Sequence, residues 1–186
     1  MPPKVKITKE EIVNAALDLV RREGEQAINA RAIAALLGCS TQPIFSNFAT
    51  VDALRFAVVR RANQLYREHL SLEEERGEFP RYKASGMAYI SFAKQEKELF
   101  KLLYMRNRTG EELPEEGEHL SQIEGVVREN TGLDAHDASL FHLEMWAFVH
   151  GIATILATDY LDLDRELISR MLTDAYQGLV KRFGKE

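Results

Sequence analysis

Apolar residues recur at helical spacing along almost the whole chain, and strict apolar/polar alternation is nearly absent. This pattern predicts an all-α fold of about nine helices. Ile12, Ala15, Ala16, Leu19 and Val20 form the inward stripe of a first helix from about Thr8 to Glu23. Thr8, followed by Glu10 and Glu11, is its capping candidate, and Gly24 ends it. Asn29 can cap a second, short helix through its side-chain oxygen, with Ala30, Ile33, Ala34 and Leu37 facing inward. Gly38 stands where the chain must take positive φ to leave that helix. Ser40 is expected to cap a third helix with Pro43 in its first turn, where a missing N–H costs nothing. Phe48 closes this small core. Thr50, with Asp52 in the first turn, opens a long fourth helix through about Leu72, its face held by Leu54, Val58 and Leu65.

The charged run Glu73 to Glu78 reads as a loop or frayed end, and Pro80 restarts the chain. Helices are then predicted over 81–94 and 98–106. A solvated loop follows from Asn107 to Gly117, then helices over 118–130, 135–158 and 164–183. The segment 135–158 is apolar around nearly its whole circumference, so it is expected to be buried on every side. In a chain this short, one side packs on its own domain and the other on a second copy. Helix 164–183 adds a second stripe through Leu167, Ile168, Met171, Leu172, Ala175, Leu179 and Val180. Two such helices from each of two subunits would build a four-helix interface, which makes a homodimer the expectation. The domain division expected is 1–50 for the head and 51–186 for a helical body, with the fourth helix as connector.

Two short helices joined by a tight Gly turn, as over residues 29–48, form a helix-turn-helix, whose second helix enters the DNA major groove. The net charge of −5 looks wrong for that role, but its distribution does not. Residues 1–62 hold nine Lys/Arg against six Asp/Glu, and residues 63–186 hold fifteen against twenty-three. A mildly basic head on an acidic body is compatible with DNA binding through the head alone. It argues against a protein that coats nucleic acid or lies on an anionic membrane.

Other chemistry finds little support. Cys39 is the only cysteine, so no intrachain disulfide or cysteine zinc cluster can form, and it reads as a small filler in the turn. There is no His-Glu-x-x-His, no phosphate-binding Gly loop and no Gly-x-Ser-x-Gly. Glu116-x-x-His119 has the spacing of a di-iron helix motif, but that chemistry needs two such motifs and two further carboxylates. No catalytic residue, metal or cofactor is therefore expected. Without a signal peptide or an apolar run of about 20 residues, a cytoplasmic location and no membrane association are expected. A helical adaptor that binds only protein is the alternative reading; an enzyme ranks last.

The order of features resembles the TetR family of transcriptional regulators. The residues that carry the likeness are 27–40, then Ile44, Phe45, Phe48, Asp52 and Leu54. A second likeness, Trp146-Ala-Phe-Val-His150-Gly151 together with the stretch Tyr89 to Tyr104, is to the WHG type of TetR C-terminal domain. The resemblance implies a homodimer on a palindromic double-stranded operator, a repressor released when a small effector enters the body. It implies DNA contacts from Thr41, Gln42 and Pro43 at base edges and from Phe45, Ser46 and Asn47 near phosphates. Gln42 can pair with adenine, and Thr41 can bond or touch a thymine methyl. Arg31 and Ser40 join these candidates, and Lys4 and Lys6, with Lys9, are expected to supply backbone contacts. The family usually has Tyr at Phe45 and Lys at Val51, and 41–48 holds no Lys or Arg, so the arm lysines would have to compensate. The effector cavity is implied among the fifth to eighth helices, with Met87, Tyr89, Phe92, Phe100, Leu103, Tyr104, His142, Trp146 and His150 as lining candidates. On their own, Trp146 and His150 read as core residues before ligand contacts. An apolar lining suits a largely apolar effector.

Overall fold

A computed structural model describes residues 7–107 and 114–184. Lys4 and Lys6 lie outside the described residues, as do the side chains of Glu116 and His119. Among the described residues the chain is all-α: nine helices, one 3-10 turn at Glu25–Ala27 and no strand. The helices are α1 (Lys9–Glu23), α2 (Ala30–Leu36), α3 (Gln42–Asn47), α4 (Val51–Glu75), α5 (Arg81–Gln95), α6 (Lys97–Tyr104), α7 (Pro114–Thr131), α8 (Ala135–Ala157) and α9 (Arg165–Phe183). Packing divides the chain into two compact units, residues 1–67 with 96–106, and residues 68–95 with 107–186.

In the first unit α1 is opened by a full capping box. The Thr8 hydroxyl oxygen accepts the Glu11 N–H, and the Glu11 carboxylate accepts the Thr8 N–H at 2.7 Å. Those bonds hold the Glu11 carboxyl below its usual pKa. Ile12, Ala16 and Val20 are fully buried, one helical stripe as the spacing predicts. α6 packs on α1, with Leu99 and Phe100 fully buried. At one edge the Arg21 guanidinium donates twice to Glu96, at 2.9 Å from both Nε and Nη2. The Thr50 hydroxyl accepts the Ala53 N–H at 3.0 Å and caps α4 as expected.

In the second unit α5 lies on α8 and both meet α9; a Cβ at Gly86 of α5 would touch Leu172 and Val149 at 3.4 and 3.5 Å. Tyr82, Phe141, Tyr176 and Phe183 form an aromatic knot, with centroids 5.4 Å apart for Phe141–Tyr176 and 5.7 Å for Phe141–Phe183. Edge and tilted contacts of this kind add about 0.5–1.5 kcal/mol per pair beyond burial.

Four expectations are corrected here. The run Glu73 to Glu78 is not wholly a loop: α4 continues to Glu75. Glu73 is only 6% exposed and takes ion pairs from Arg76 and from Arg165 of α9, a partner 92 residues away. The loop after Asn107 does not reach Gly117, because α7 starts at Pro114, whose fixed φ suits a first helical position. α8 is not buried all round. Ala138, Phe141, Met145, Val149 and Ile152 face α5, α7 and α9, while Leu143 (57% exposed), Trp146, Ala147, Phe148 and Gly151 face outward. Finally, α8 is long and apolar enough, by length and composition, to cross a membrane, against the expectation of no such run; here three helices of its own unit pack on it.

Candidate functional site

The helix-turn-helix is built by local hydrogen bonds. Asn29 Oδ1 accepts the Ala32 N–H at 2.8 Å, while its amide donates to the Ala27 carbonyl at 3.1 Å. α2 closes with a Schellman pair: Cys39 N–H donates to the Ala34 carbonyl at 2.9 Å and Gly38 N–H to that of Ala35 at 3.2 Å. Gly38 takes φ +63°, the left-handed conformation that this closure needs. Ile33, Ala34, Ile44 and Phe48 are buried between the helices.

The start of α3 differs from expectation. Its N-cap is Thr41, not Ser40, and Thr41 makes no side-chain cap bond. The reason is Pro43. With Thr41 as cap, Pro43 occupies the second helical position and offers no N–H to accept from, and the next amide, of Ile44, already donates to the Thr41 carbonyl at 3.1 Å. Ser40 stays exposed in the turn, and Arg31 is exposed on α2.

The outward side of α3 carries Gln42, Phe45 and Ser46, all exposed, with Phe45 at 52%. The Ser46 hydroxyl donates to the Gln42 carbonyl at 2.8 Å. The Asn47 amide donates to the Pro43 carbonyl at 2.8 Å and to that of Ile7 at 3.4 Å, which ties the start of the described chain to α3. The Lys9 ammonium stands 5.0 Å from the centre of the Phe48 ring, beside the same surface.

The nine effector-side candidates are divided between the two units. Phe100, Leu103 and Tyr104 are on α6 in the first unit, where Tyr104 meets Phe100 and Tyr66 with centroids 5.2 and 6.0 Å away. Met87, Tyr89, Phe92, His142, Trp146 and His150 are in the second unit. Met87, Tyr89 and Phe92 are buried on α5. Two tyrosines of α5 bond two histidines of α8: Tyr82 Oη is 3.1 Å from His142 Nδ1, and Tyr89 Oη is 2.9 Å from His150 Nδ1. Later residue meets later residue, so α5 and α8 run parallel. Burial, reinforced by Tyr176, raises the Tyr82 pKa and keeps its phenol protonated. Burial lowers the His150 pKa, so its imidazole is neutral near pH 7. Trp146 does not sit in the core. One position after buried Met145 it turns about 100° around the helix, is 41% exposed, and stacks on His150 at 5.0 Å and 16°.

The pairing of Tyr82 with His142 is absent from the sequence reading. Helical periodicity places each residue on a face but names no partner 60 positions away. An open cleft of about 580 Å³ lies on the first unit between Glu11, Asp18, Arg21, Arg22, Leu36 and Leu37, and none of the effector-side candidates lines it.

The family model described as "Tetracyclin repressor-like, C-terminal domain" matches residues 82–176, just over half of the 186-residue chain. The chain belongs to the TetR-like family of transcriptional regulators. Solved structures share the fold. A TetR-like transcriptional regulator from Rhodococcus sp. RHA1 aligns with TM-score 0.71 at 17% identity, over 96% of this chain and 98% of its own. A Rhodococcus sp. RHA1 protein of unknown function aligns with TM-score 0.75 at 21% identity over the whole of both chains. The multidrug binding protein EbrR, complexed with malachite green, aligns with TM-score 0.63 at 20% identity, over 90% of this chain and 96% of its own. No curated protein matches the sequence. The match of the TetR-like model starts at Tyr82 and ends at Tyr176, so it spans α5 through most of α9, including both Tyr–His pairs and the outward face of α8.

Proposed function

We propose that this TetR-like chain is a cytoplasmic, homodimeric repressor with no catalytic activity, which binds a palindromic operator through residues 1–50 and leaves it when residues 51–186 take up a small, largely apolar effector. The observation that carries the reading is the α2–turn–α3 unit, with a Schellman closure at Gly38 and the Gln42/Phe45 side of α3 turned outward. Arg31, Ser40, Thr41, Gln42, Pro43, Phe45, Ser46 and Asn47 supply the head surface, and Lys4 and Lys6 the arm. The outward face of α8 supports the dimer: Leu143, Trp146, Ala147, Phe148 and Gly151 leave an apolar strip with small residues where a second helix can approach. The second copy would bury this strip against itself in an isologous contact. The malachite green complex of EbrR supports a body that accepts an extended aromatic molecule.

In the ligand-free dimer two α3 helices would meet successive major grooves, about 34 Å apart. The effector acts only through its preference for a conformation in which that spacing is lost. Selecting bound duplexes from a random DNA pool tests the reading. Paired, inverted half-sites with centres about 10 base pairs apart, or a multiple, are expected. No enrichment at low salt would remove DNA binding and leave the protein-binding adaptor.

A further inference from the structure

We propose that Phe45 is a specificity residue that reads the methyl group of one thymine in each operator half-site. The inference rests on the proposed DNA-binding role of α3 and adds what that helix recognises.

Phe45 is a large apolar side chain more than half exposed on a six-residue helix whose other large apolar residue, Ile44, is buried. Gln42 stands three positions before it, so the two side chains share one face. Their separation along the axis is about 4.5 Å, close to one base-pair step of about 3.4 Å. Two donors that follow Phe45 are engaged: the Ser46 hydroxyl donates to the Gln42 carbonyl and the Asn47 amide to that of Pro43. No Lys or Arg lies in 41–48. The Gln42/Phe45 side of α3 therefore offers one amide and one phenyl ring.

A phenyl ring pressed against a phosphate would strip water from an anion and return no hydrogen bond. On the base edges of the major groove the apolar group is the thymine C5-methyl, and phenylalanine is among the side chains that meet it. Gln42, one step away, can take adenine N6 and N7 together. The two side chains thus favour adjacent A·T pairs, one read by its adenine and one by its thymine.

The test uses the full-length protein and the duplex obtained by selection. Each thymine is replaced singly by deoxyuridine, which removes only the methyl group. At one thymine per half-site the wild-type protein should lose about fourfold in affinity, the equivalent of one methyl group returned to water. F45A should bind thymine and uracil duplexes alike at that position and keep normal discrimination elsewhere. If F45A binds too weakly to measure, F45L replaces it and should shrink the penalty at that thymine alone. Loss of the methyl without effect at every position overturns the proposal, as does an undiminished penalty in F45A or F45L. F45Y gives an independent check. Tighter binding to every sequence would put this side chain at the phosphates and also overturn the proposal. Failure to select any DNA would instead overturn the regulator reading itself, so the two failures are distinct.

Discussion

The steepness with which salt weakens operator binding follows from where the head's cations are. Arg21 is committed to Glu96 and Asp18, Arg55 faces Glu25 and Asp52, and Arg22 donates to the Asp18 carbonyl. Beside the helix-turn-helix stand Lys9 and Arg31, both exposed, and the arm adds Lys4 and Lys6. If all four reach phosphates, a dimer neutralises about eight, and log K falls against log salt with a slope of about −7. Raising KCl from about 50 to 200 mM would then cost about four decades of affinity. Replacing Lys4 and Lys6 by Gln leaves about four contacts, a slope of about −3.6 and a loss of about two decades over the same range. Fluorescence anisotropy of a labelled operator duplex across a KCl series measures both slopes. A K4Q/K6Q protein with the wild-type slope would refute the role of the arm, and the head would then rely on Lys9 and Arg31 alone.

Three further outcomes are expected. Leu143→Glu should turn the proposed dimer into a monomer: losing two symmetry-related leucines would cost about 3 kcal/mol, roughly a hundredfold in dissociation constant, and an unchanged sedimentation coefficient at micromolar protein would argue against the α8 contact. His150 has a folded-state pKa below its unfolded value, so the unfolded chain takes up a proton first as pH falls. Its contribution to stability is complete above about pH 6.5 and declines below that until the folded pKa is passed; His150→Gln should lose this acid-side decline relative to wild type, and equal urea-midpoint shifts between pH 7.5 and 5.5 would contradict it. Phe141→Ala, at a fully buried position among Tyr82, Tyr176 and Phe183, should cost about 3–5 kcal/mol in urea unfolding, and a loss under about 1 kcal/mol would mean the knot repacks freely.

Features settled within a few residues of sequence were legible before the structure. Thr8 and Glu11 announce the capping box, Asn29 the cap of α2, Gly38 the exit from it and Thr50 the entry to α4. Each depends on a side chain meeting a backbone group three or four positions away. Ser40 fails as the cap for an equally local reason: with Ser40 as cap, Pro43 would be the third helical residue and has no N–H to donate to it. The end of α4 could be read only in part: Arg76, three residues on, is a local partner for Glu73, but its second partner, Arg165, lies on a helix formed about 90 residues later. The same limit applies to the effector side. Periodicity puts Phe100 and Leu103 on one face of α6, but it does not say that this face meets α1. Nor does it say which side of an all-apolar α8 its own unit leaves uncovered. The DNA-side residues are legible as a surface, but spacing does not say that Ser46 and Asn47 spend their donors on backbone carbonyls, one of them that of Ile7, 40 residues away.

The two Tyr–His pairs have a mechanical consequence. They are seven residues apart on α5 and eight on α8, about two helical turns in each case. A rigid axial slide of one helix along the other therefore cannot break one pair and spare the other. α5 and α8 behave as a ratchet with two teeth that must disengage together. Any effector that shifts α8 along α5 would have to supply the cost of both bonds at once, about 1–3 kcal/mol in all, so intermediate displacements of α8 along α5 are penalised.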